Sequence, residues 1–145
     1  DLGQRDEKDL KSLKLNAGLI TKLKPYLGSK AANAQALLKK SPLVINSIQA
    51  SAIDKAVKSD HISKLKLKYN TAAGNKKKFI DIPHQAQTVI TSVSFQYGVG
   101  LNIRAPKFWK AVTSQNWVEA TKLLKAFGDA YPTRRRKEAA LLEKI

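Results

Sequence analysis

Residues 81–98 read DIPHQAQTVITSVSFQYG, and this stretch decides the fold. Pro83 is preorganised for the first turn of a helix, and Asp81 before it predicts a side-chain cap on the first backbone N–H groups. Apolar or small residues then recur on more than one face as far as Tyr97, which predicts a helix buried on several sides. Gly98 predicts the end of that helix. The sequence is therefore organised around one central helix.

The chain on both sides of this stretch is also helical in pattern. Asn46 with Gln49 three residues later predicts a capping box at the start of a long helix, and Asn116 with Glu119 predicts another cap. Residues 70–78 read as a solvated loop. The predicted buried stripe of the long helix consists of Ile48, Ala52, Ile53, Val57, Ile62, Leu65 and Tyr69. With no convincing strand, repeat or linker, the sequence predicts one mainly α-helical domain over residues 1–145.

The chain is strongly basic, with 27 lysines and arginines against 11 acidic residues and a net charge of +16. An acidic partner is expected. Only five of the cations are arginines, whereas specific readout of bases depends on the planar arginine fork. Lysine-rich charge therefore fits a diffuse polyanion such as a bacterial envelope at least as well as a nucleic acid.

Several classes of chemistry are disfavoured by the residues present. There is no cysteine, which excludes disulfides and thiolate catalysis, and His61 and His84 lack the spacing of metal ligands, so both are predicted to be structural or surface residues. No phosphate-binding loop or serine elbow occurs, and no apolar run reaches the ~20 residues of a membrane helix. We expect no cofactor, no metal and no membrane insertion. Because the chain begins at Asp1 and contains no methionine, it is predicted to be a processed or truncated product.

Two stretches resemble the phage-type lysozymes. In that family a long buried helix ends in Phe-Gln-x-Gly and is followed by a short helix and a Trp-x-Glu-Ala helix, and an aromatic, proline-containing turn precedes a basic last helix. The matching segments here are residues 95–98, 108–112 and 116–120, and then 131–137. The resemblance implies the helical lobe of a lysozyme-like fold, with the β-hairpin lobe of the active site missing upstream.

The first residues resemble the pesticin-like subfamily of these lysozymes. Asp1-Leu2-Gly3-Gln4 is similar to the end of that subfamily's active-site hairpin, Thr-Ile-Gly-x-Gly-x-Asp-x-Gly-Gln. The resemblance implies that Asp1 is catalytic, whereas the alternative is a solvated terminal residue. The subfamily's general-acid glutamate and its threonine have no counterpart in this sequence. The chain by itself is therefore expected to be inactive, and the intact parent is expected to be a muramidase.

Two further residues are candidates for substrate binding. Gln96 lies shortly before Gly98, the glycine predicted to end the helix, where its amide can reach a groove, and the matching glutamine of phage lysozymes faces the cleft. Arg134 is the best match to the arginine that this family places beside the catalytic glutamate, where it would hold that glutamate and sense an anionic polymer. The alternative interpretation of Gln96 is an ordinary polar residue at a helix end. The alternative interpretation of Arg134 is one cation of a solvated face.

These observations lead to one main functional hypothesis and its alternatives. The resemblance implies hydrolysis of the β-1,4 bond between N-acetylmuramic acid and N-acetylglucosamine in peptidoglycan, by an antibacterial toxin or effector that is secreted or delivered to a target bacterium's periplasm. An immunity protein would be a partner. One alternative is a nucleic-acid-binding helical module, but the sequence shows no recognition helix to support it. The other alternative is a noncatalytic wall-binding or immunity-binding domain.

Overall fold

The computed structural model describes residues 2–74 and 76–145, and these residues form helices joined by short turns, with no strand among them. Three short 3₁₀ helices cover Leu2–Gln4, Lys24–Tyr26 and Phe79–Asp81. The α-helices are α1 (Glu7–Ser12), α2 (Ala17–Leu23), α3 (Ala31–Lys40), α4 (Ser47–Ala73), α5 (His84–Tyr97), α6 (Leu101–Arg104), α7 (Pro106–Thr113), α8 (Trp117–Lys125) and α9 (Pro132–Leu142). The predicted mainly α-helical class is confirmed.

The chain divides into two compact units, Asp1–Asp60 and His61–Ile145. The core of the first unit is a small cluster of leucines, consisting of Leu10, Leu13, Leu19 and Leu23. At the start of α1 the Asp6 carboxylate accepts a hydrogen bond from the backbone N–H of Asp9, at 2.8 Å, and the reciprocal bond completes a capping box. Local capping and a few buried leucines therefore hold this unit together.

The long helix α4 confirms one sequence prediction and corrects two others. The Asn46–Gln49 capping box is present, with backbone-to-side-chain distances of 2.8 and 3.1 Å. The helix runs to Ala73, beyond the start of the loop predicted at residue 70. Ile48 is 78% exposed and Ala52 is also exposed, so the predicted buried stripe is wrong in its first two turns, whereas Leu65 and Tyr69 are fully buried. Periodicity marks an apolar face, but only a segment with neighbours packed against it becomes buried.

The second unit contains the main core, and α5 lies within it. Four apolar residues of α5 have no exposed surface, namely Ala86, Val89, Ile90 and Val93. They belong to a cluster that also includes side chains from α4, α7, α8 and α9. A fully buried apolar side chain contributes about 1.5–3 kcal/mol relative to an exposed one. The predicted burial of α5 on several sides is therefore confirmed.

The two ends of α5 differ in how well the sequence predicted them. The helix begins at His84 and its N-terminal flanking residue Pro83 makes no side-chain capping bond, so the predicted Asp81 cap is wrong. Asp81 instead ends the 3₁₀ turn that begins at Phe79. At the other end, Gly98 has φ of 78°, a left-handed conformation that favours glycine, and α5 stops there as predicted.

Tyr69 joins α4 to α7 at the centre of the second unit. Its hydroxyl donates to the Val112 carbonyl oxygen at 2.9 Å, and its ring contacts Phe79 and Trp109 edge to face. Burial raises the pKa of Tyr69 to about 12. An unfolded tyrosine has a pKa near 10, so the folded state favours the neutral phenol. The resulting stability is fully present below about pH 10 and is lost as pH rises towards about 12.

We expect the free energy of unfolding to fall by about 2–3 kcal/mol through this residue between pH 10 and pH 12. Tyr69→Phe should cost about 1 kcal/mol at pH 8, because the hydrogen bond is lost, and should reduce the additional loss at alkaline pH. Urea unfolding at pH 8 and pH 11 measures both effects, with Tyr131→Phe, at a half-exposed tyrosine, as the control. If Tyr69→Phe left the loss of stability at alkaline pH unchanged, that loss would come from other titratable groups.

Candidate functional site

The candidate site lies at the C-terminal end of α5, where Phe95 and Gln96 precede the terminating Gly98. Phe95 is 44% exposed, and Gln96 is half-buried. Because the helix stops two residues later, the amide of Gln96 lies at a helix end instead of along a packed face. The prediction that its amide reaches a groove stays a prediction, since Gln96 is not among the residues that line the groove along α5.

Arg135, in the first turns of α9, is the residue that contacts Gln96. The side chain of Arg135 is only 2% exposed. Its Nη2 donates to Gln96 Oε1 at 3.0 Å, its Nε donates to Asp129 Oδ2 at 2.9 Å, and its Nη1 donates to Glu138 Oε2. A buried cation requires paired charges and satisfied hydrogen bonds, and the guanidinium fork supplies donors in three directions. We call Gln96, Tyr97, Asp129, Arg135 and Glu138 the Arg135 cluster.

Aromatic rings and a phenol complete the Arg135 cluster. The guanidinium carbon lies 4.8 Å from the centre of the Phe127 ring and 5.6 Å from that of Tyr97. Such cation–π contacts add about 0.5–2 kcal/mol and fix the plane of the guanidinium. The Tyr97 hydroxyl donates to Asp129 Oδ2 at 2.6 Å. The cluster is therefore a closed network in which the charged groups face partners.

The pKa values in the cluster move in the directions that this pairing requires. Burial alone would raise the pKa of the Asp129 carboxyl, but hydrogen bonds from Tyr97 and Arg135 outweigh it and hold that pKa below its ordinary value. Burial disfavours the charged form of Arg135, yet bonds to Asp129 and Glu138 raise its pKa above the ordinary value. Burial, followed by the bond to Asp129, raises the pKa of Tyr97. Asp129 is thus held as a carboxylate.

Arg134, the sequence candidate, lies on the exposed side of the same helix turn, with 45% of its side chain accessible. Its Nη2 donates to the Ser92 carbonyl at 3.1 Å and to the Ser92 hydroxyl at 2.9 Å, and its Nε lies 3.3 Å from Glu138 Oε1. The Ser92 hydroxyl also donates to Glu138 Oε1 at 2.6 Å. Arg134 and Gln96 are therefore joined through Glu138 and Arg135 in one hydrogen-bonded chain.

A groove of about 480 Å³ follows the face of α5 that leads to this site. It offers hydroxyls, an amide, two cations and an exposed aromatic ring, a combination suited to polar ligands that carry negative charge. Its lining residues are Ile62, Lys66, Phe79, Gln87, Thr88, Thr91, Ser92, Phe95 and Arg134. A larger groove of about 820 Å³ beside Trp117 and Ile145 includes none of the predicted site residues.

The structure also brings His61 to the site, which the sequence had not predicted. Its ring stacks on Phe95 with centroids 4.5 Å apart, and its Nε2 lies 2.9 Å from the Ser94 hydroxyl. Of the two predicted possibilities, a structural or a surface residue, these contacts favour the structural one, since His61 is half-buried against α5. No local pattern links residues so far apart in the chain. The other sequence candidate, Asp1, lies outside the described residues.

Residues 2–74 and 76–145 contain no group of three or more histidine, cysteine, aspartate or glutamate side chains that could hold a metal ion. None of the helices in the described part of the chain is both long and apolar enough to cross a membrane.

The helical architecture, the buried α5 and the glutamine at its end define the helical lobe of a lysozyme-like fold. Comparison with protein families gives the particular family. A model described as "Pesticin: bacterial toxin homologue of phage lysozyme, C-term" matches residues 1–118, and the chain belongs to this family. The match includes Asp1 and Gln96 but ends before Arg134 and Arg135. No curated protein matches the chain.

Proposed function

We propose that residues 1–145 form the helical part of a single lysozyme-like domain in a bacterial toxin that hydrolyses peptidoglycan. The bond cleaved is the β-1,4 link between N-acetylmuramic acid and N-acetylglucosamine. Membership of the family of bacterial toxins homologous to phage lysozyme supports the reaction class and the substrate. The observation that supports this assignment most directly within the structure is the Gln96 amide, which is held at the end of α5 by a buried arginine.

The proposed roles follow the positions of the polar groups. Gln96 binds the sugar, and Arg134, half exposed in the groove along α5, attracts the anionic polymer and orients a catalytic carboxylate. Ser92 and Glu138 hold Arg134 in place. In the alternative, Arg134 is one cation of a solvated face, which its hydrogen bonds to Ser92 make less favourable.

Glycoside hydrolysis needs a proton donor for the leaving oxygen and a second carboxylate. The carboxylates of the Arg135 cluster are unsuited to donating a proton, because the oxygens of Asp129 and Glu138 accept hydrogen bonds from arginine, serine and tyrosine side chains. Following the pesticin-like pattern that the first residues resemble, we propose that the general acid is a glutamate outside residues 1–145 and that Asp1 is the second carboxylate.

The cationic surface and the family support a place of action outside the producing cell. We propose that the toxin is secreted or delivered to the periplasm of a target bacterium, where peptidoglycan is accessible, and that an immunity protein protects the producer. The net charge of +16 favours association with an anionic wall.

The proposal is tested by digesting purified peptidoglycan with the toxin that carries this chain and identifying the new reducing ends by borohydride reduction and mass spectrometry. We expect N-acetylmuramic acid at the new reducing ends. Reducing-end N-acetylglucosamine would indicate a different glycosidase. Binding to wall sacs without any release would favour the noncatalytic wall-binding alternative, and a preference for nucleic acid over sacs would favour the nucleic-acid-binding one.

A further inference from the structure

The orientation of the Gln96 side-chain amide is determined by its neighbour. A guanidinium group has only donors, so the atom of Gln96 that faces Arg135 must be the oxygen. The 3.0 Å distance joins Arg135 Nη2 to Gln96 Oε1 in agreement with this requirement. Rotating the amide by 180° would place an NH₂ group against a buried donor. The chemistry of the pair therefore selects one of the two amide orientations.

Arg135 is itself held too firmly to follow such a rotation. Its Nε donates to Asp129 and its Nη1 to Glu138, and its guanidinium carbon lies over the Phe127 ring. A side chain that is 2% exposed and bonded on three sides has one favourable position. The Gln96 oxygen is therefore fixed towards the interior of the protein.

The nitrogen of the same amide is left for a ligand. Gln96 is half-buried, and its Nε2 makes no hydrogen bond to any residue within the described part of the chain. Because oxygen and nitrogen project in different directions from the amide carbon, turning the oxygen inward directs the N–H donors away from Arg135. A glutamine amide can both donate and accept, but in this orientation Gln96 presents a donor alone to a ligand.

We infer that Arg135 is a positioning residue that sets Gln96 as a hydrogen-bond donor and so makes this site selective for N-acetylated sugars. This inference rests on the proposed function. The carbonyl oxygen of an N-acetyl group is an obligate acceptor, which matches an N–H donor in a fixed direction, whereas the hydroxyl at the same ring position of glucose is a weaker and freely rotating acceptor. The exposed part of Phe95 offers apolar surface to the acetyl methyl group.

The test uses two neutral ligands that differ only at this position, β-1,4-linked tetramers of N-acetylglucosamine and of glucose. Titration into ¹⁵N-labelled chain, followed through the Gln96 side-chain NH₂ resonance, should show tighter binding of the N-acetylated tetramer. Gln96→Glu keeps an oxygen for Arg135 but replaces the donor with an acceptor. We expect about two- to tenfold weaker binding of the N-acetylated tetramer, with the glucose tetramer unaffected and the melting temperature unchanged or higher.

Two controls separate positioning from folding. Gln35→Glu makes the same change in charge at an exposed residue of the other compact unit and should leave both affinities unchanged. Arg135→Lys keeps the charge but has no planar fork, so it should shift the Gln96 NH₂ resonance and reduce the selectivity between the tetramers.

The outcomes distinguish the inference from the proposed function. The inference would be overturned if the unmodified chain bound the two tetramers equally, or if Gln96→Glu kept the selectivity. Cleavage of peptidoglycan by the intact toxin would not be affected by either result. Selectivity that is lost in Gln96→Glu and kept in Gln35→Glu would support it. A toxin that neither binds nor cleaves peptidoglycan would instead refute the proposed function.

Discussion

Replacing Arg135 with methionine is expected to lower the free energy of unfolding by about 3–5 kcal/mol, because it removes the buried cation that pairs with two largely buried carboxylates. Asp129 and Glu138 both bond to Arg135, and their side chains are only 12% and 7% exposed. Methionine occupies a similar length without a charge, so the main loss is electrostatic and not a cavity. The folded pKa of Asp129 is depressed, which means that the carboxylate form stabilises the fold and requires its partner at neutral pH.

The measurement is urea unfolding at neutral pH followed by tryptophan fluorescence. Both tryptophans, Trp109 and Trp117, lie in the second unit, so the signal reports on the part of the chain that contains the cluster. Arg136→Met is the matched control, because it removes the same charge from an exposed position one residue away, and it should change stability by less than about 0.5 kcal/mol.

A second variant tests whether unpaired buried charge is the cause of the lost stability. Adding Asp129→Asn to Arg135→Met removes the carboxylate that loses its cation, whereas Glu138 still pairs with Arg134, so the double variant should regain part of the lost stability. If Arg135→Met were as stable as Arg136→Met, the cluster would contribute little to the fold. If the double variant were less stable than Arg135→Met, unpaired charge would not be the cause.

The parts of the fold that could be predicted depend on residues close together in the chain. The Asn46–Gln49 box and the Asn116 cap involve partners three positions apart, and both are present, with the backbone N–H of Glu119 3.0 Å from Asn116 Oδ1. Gly98 ends α5 because its left-handed backbone is favoured in glycine. Such signals require nothing from the rest of the molecule.

The predictions that were wrong concern residues whose environment is set by packing. Asp81 has the composition of a cap, but it lies in the 3₁₀ turn before α5 and the helix begins three residues later. Ile48 fits the helical period of α4 but has no neighbours to bury it. A pattern of residue types cannot show which neighbours will be present, and so these errors follow from tertiary structure.

In the candidate site, too, the sequence predicted what local signals determine but not what packing determines. The sequence identified Gln96 and the basic first turns of α9, yet Arg134, Arg135 and Arg136 are chemically identical and differ only in the direction they face. Glu138 is within helical reach of both Arg134 and Arg135, so the local pattern does not select between them. Only the position of Asp129 and of the end of α5 shows that Arg135 is the buried one. The contact of His61 with Phe95 has no signal in the sequence at all.

For the chain of residues 1–145 by itself, we expect binding to peptidoglycan without hydrolysis. The glutamate that protonates the leaving oxygen in the pesticin-like pattern has no counterpart in this sequence, and loss of a general acid costs about 10²–10⁴ in rate. The cationic surface does not depend on that glutamate, so the chain should still sediment with wall sacs. Since exposed charges more than about 10 Å apart are largely screened at 0.1 M salt, binding should weaken as salt rises.

The assay combines co-sedimentation at low and high salt with measurement of reducing ends, using the intact toxin as the positive control for cleavage. An intact toxin in which Gln96 is replaced by alanine adds a second comparison. Its turnover should fall by more than its stability, which loses the hydrogen bond from Arg135, as expected for a side chain that positions substrate. Release of reducing ends by residues 1–145 alone would contradict the proposal that the acid lies elsewhere. The proton donor would then have to be sought among the carboxylates of this chain, beginning with Asp6 and Glu7, which follow closest after Asp1. Asp6 caps α1, and Glu7 pairs with Lys11 and Lys24 at 3.0 and 2.8 Å, so each already has a structural partner that a catalytic role would have to displace.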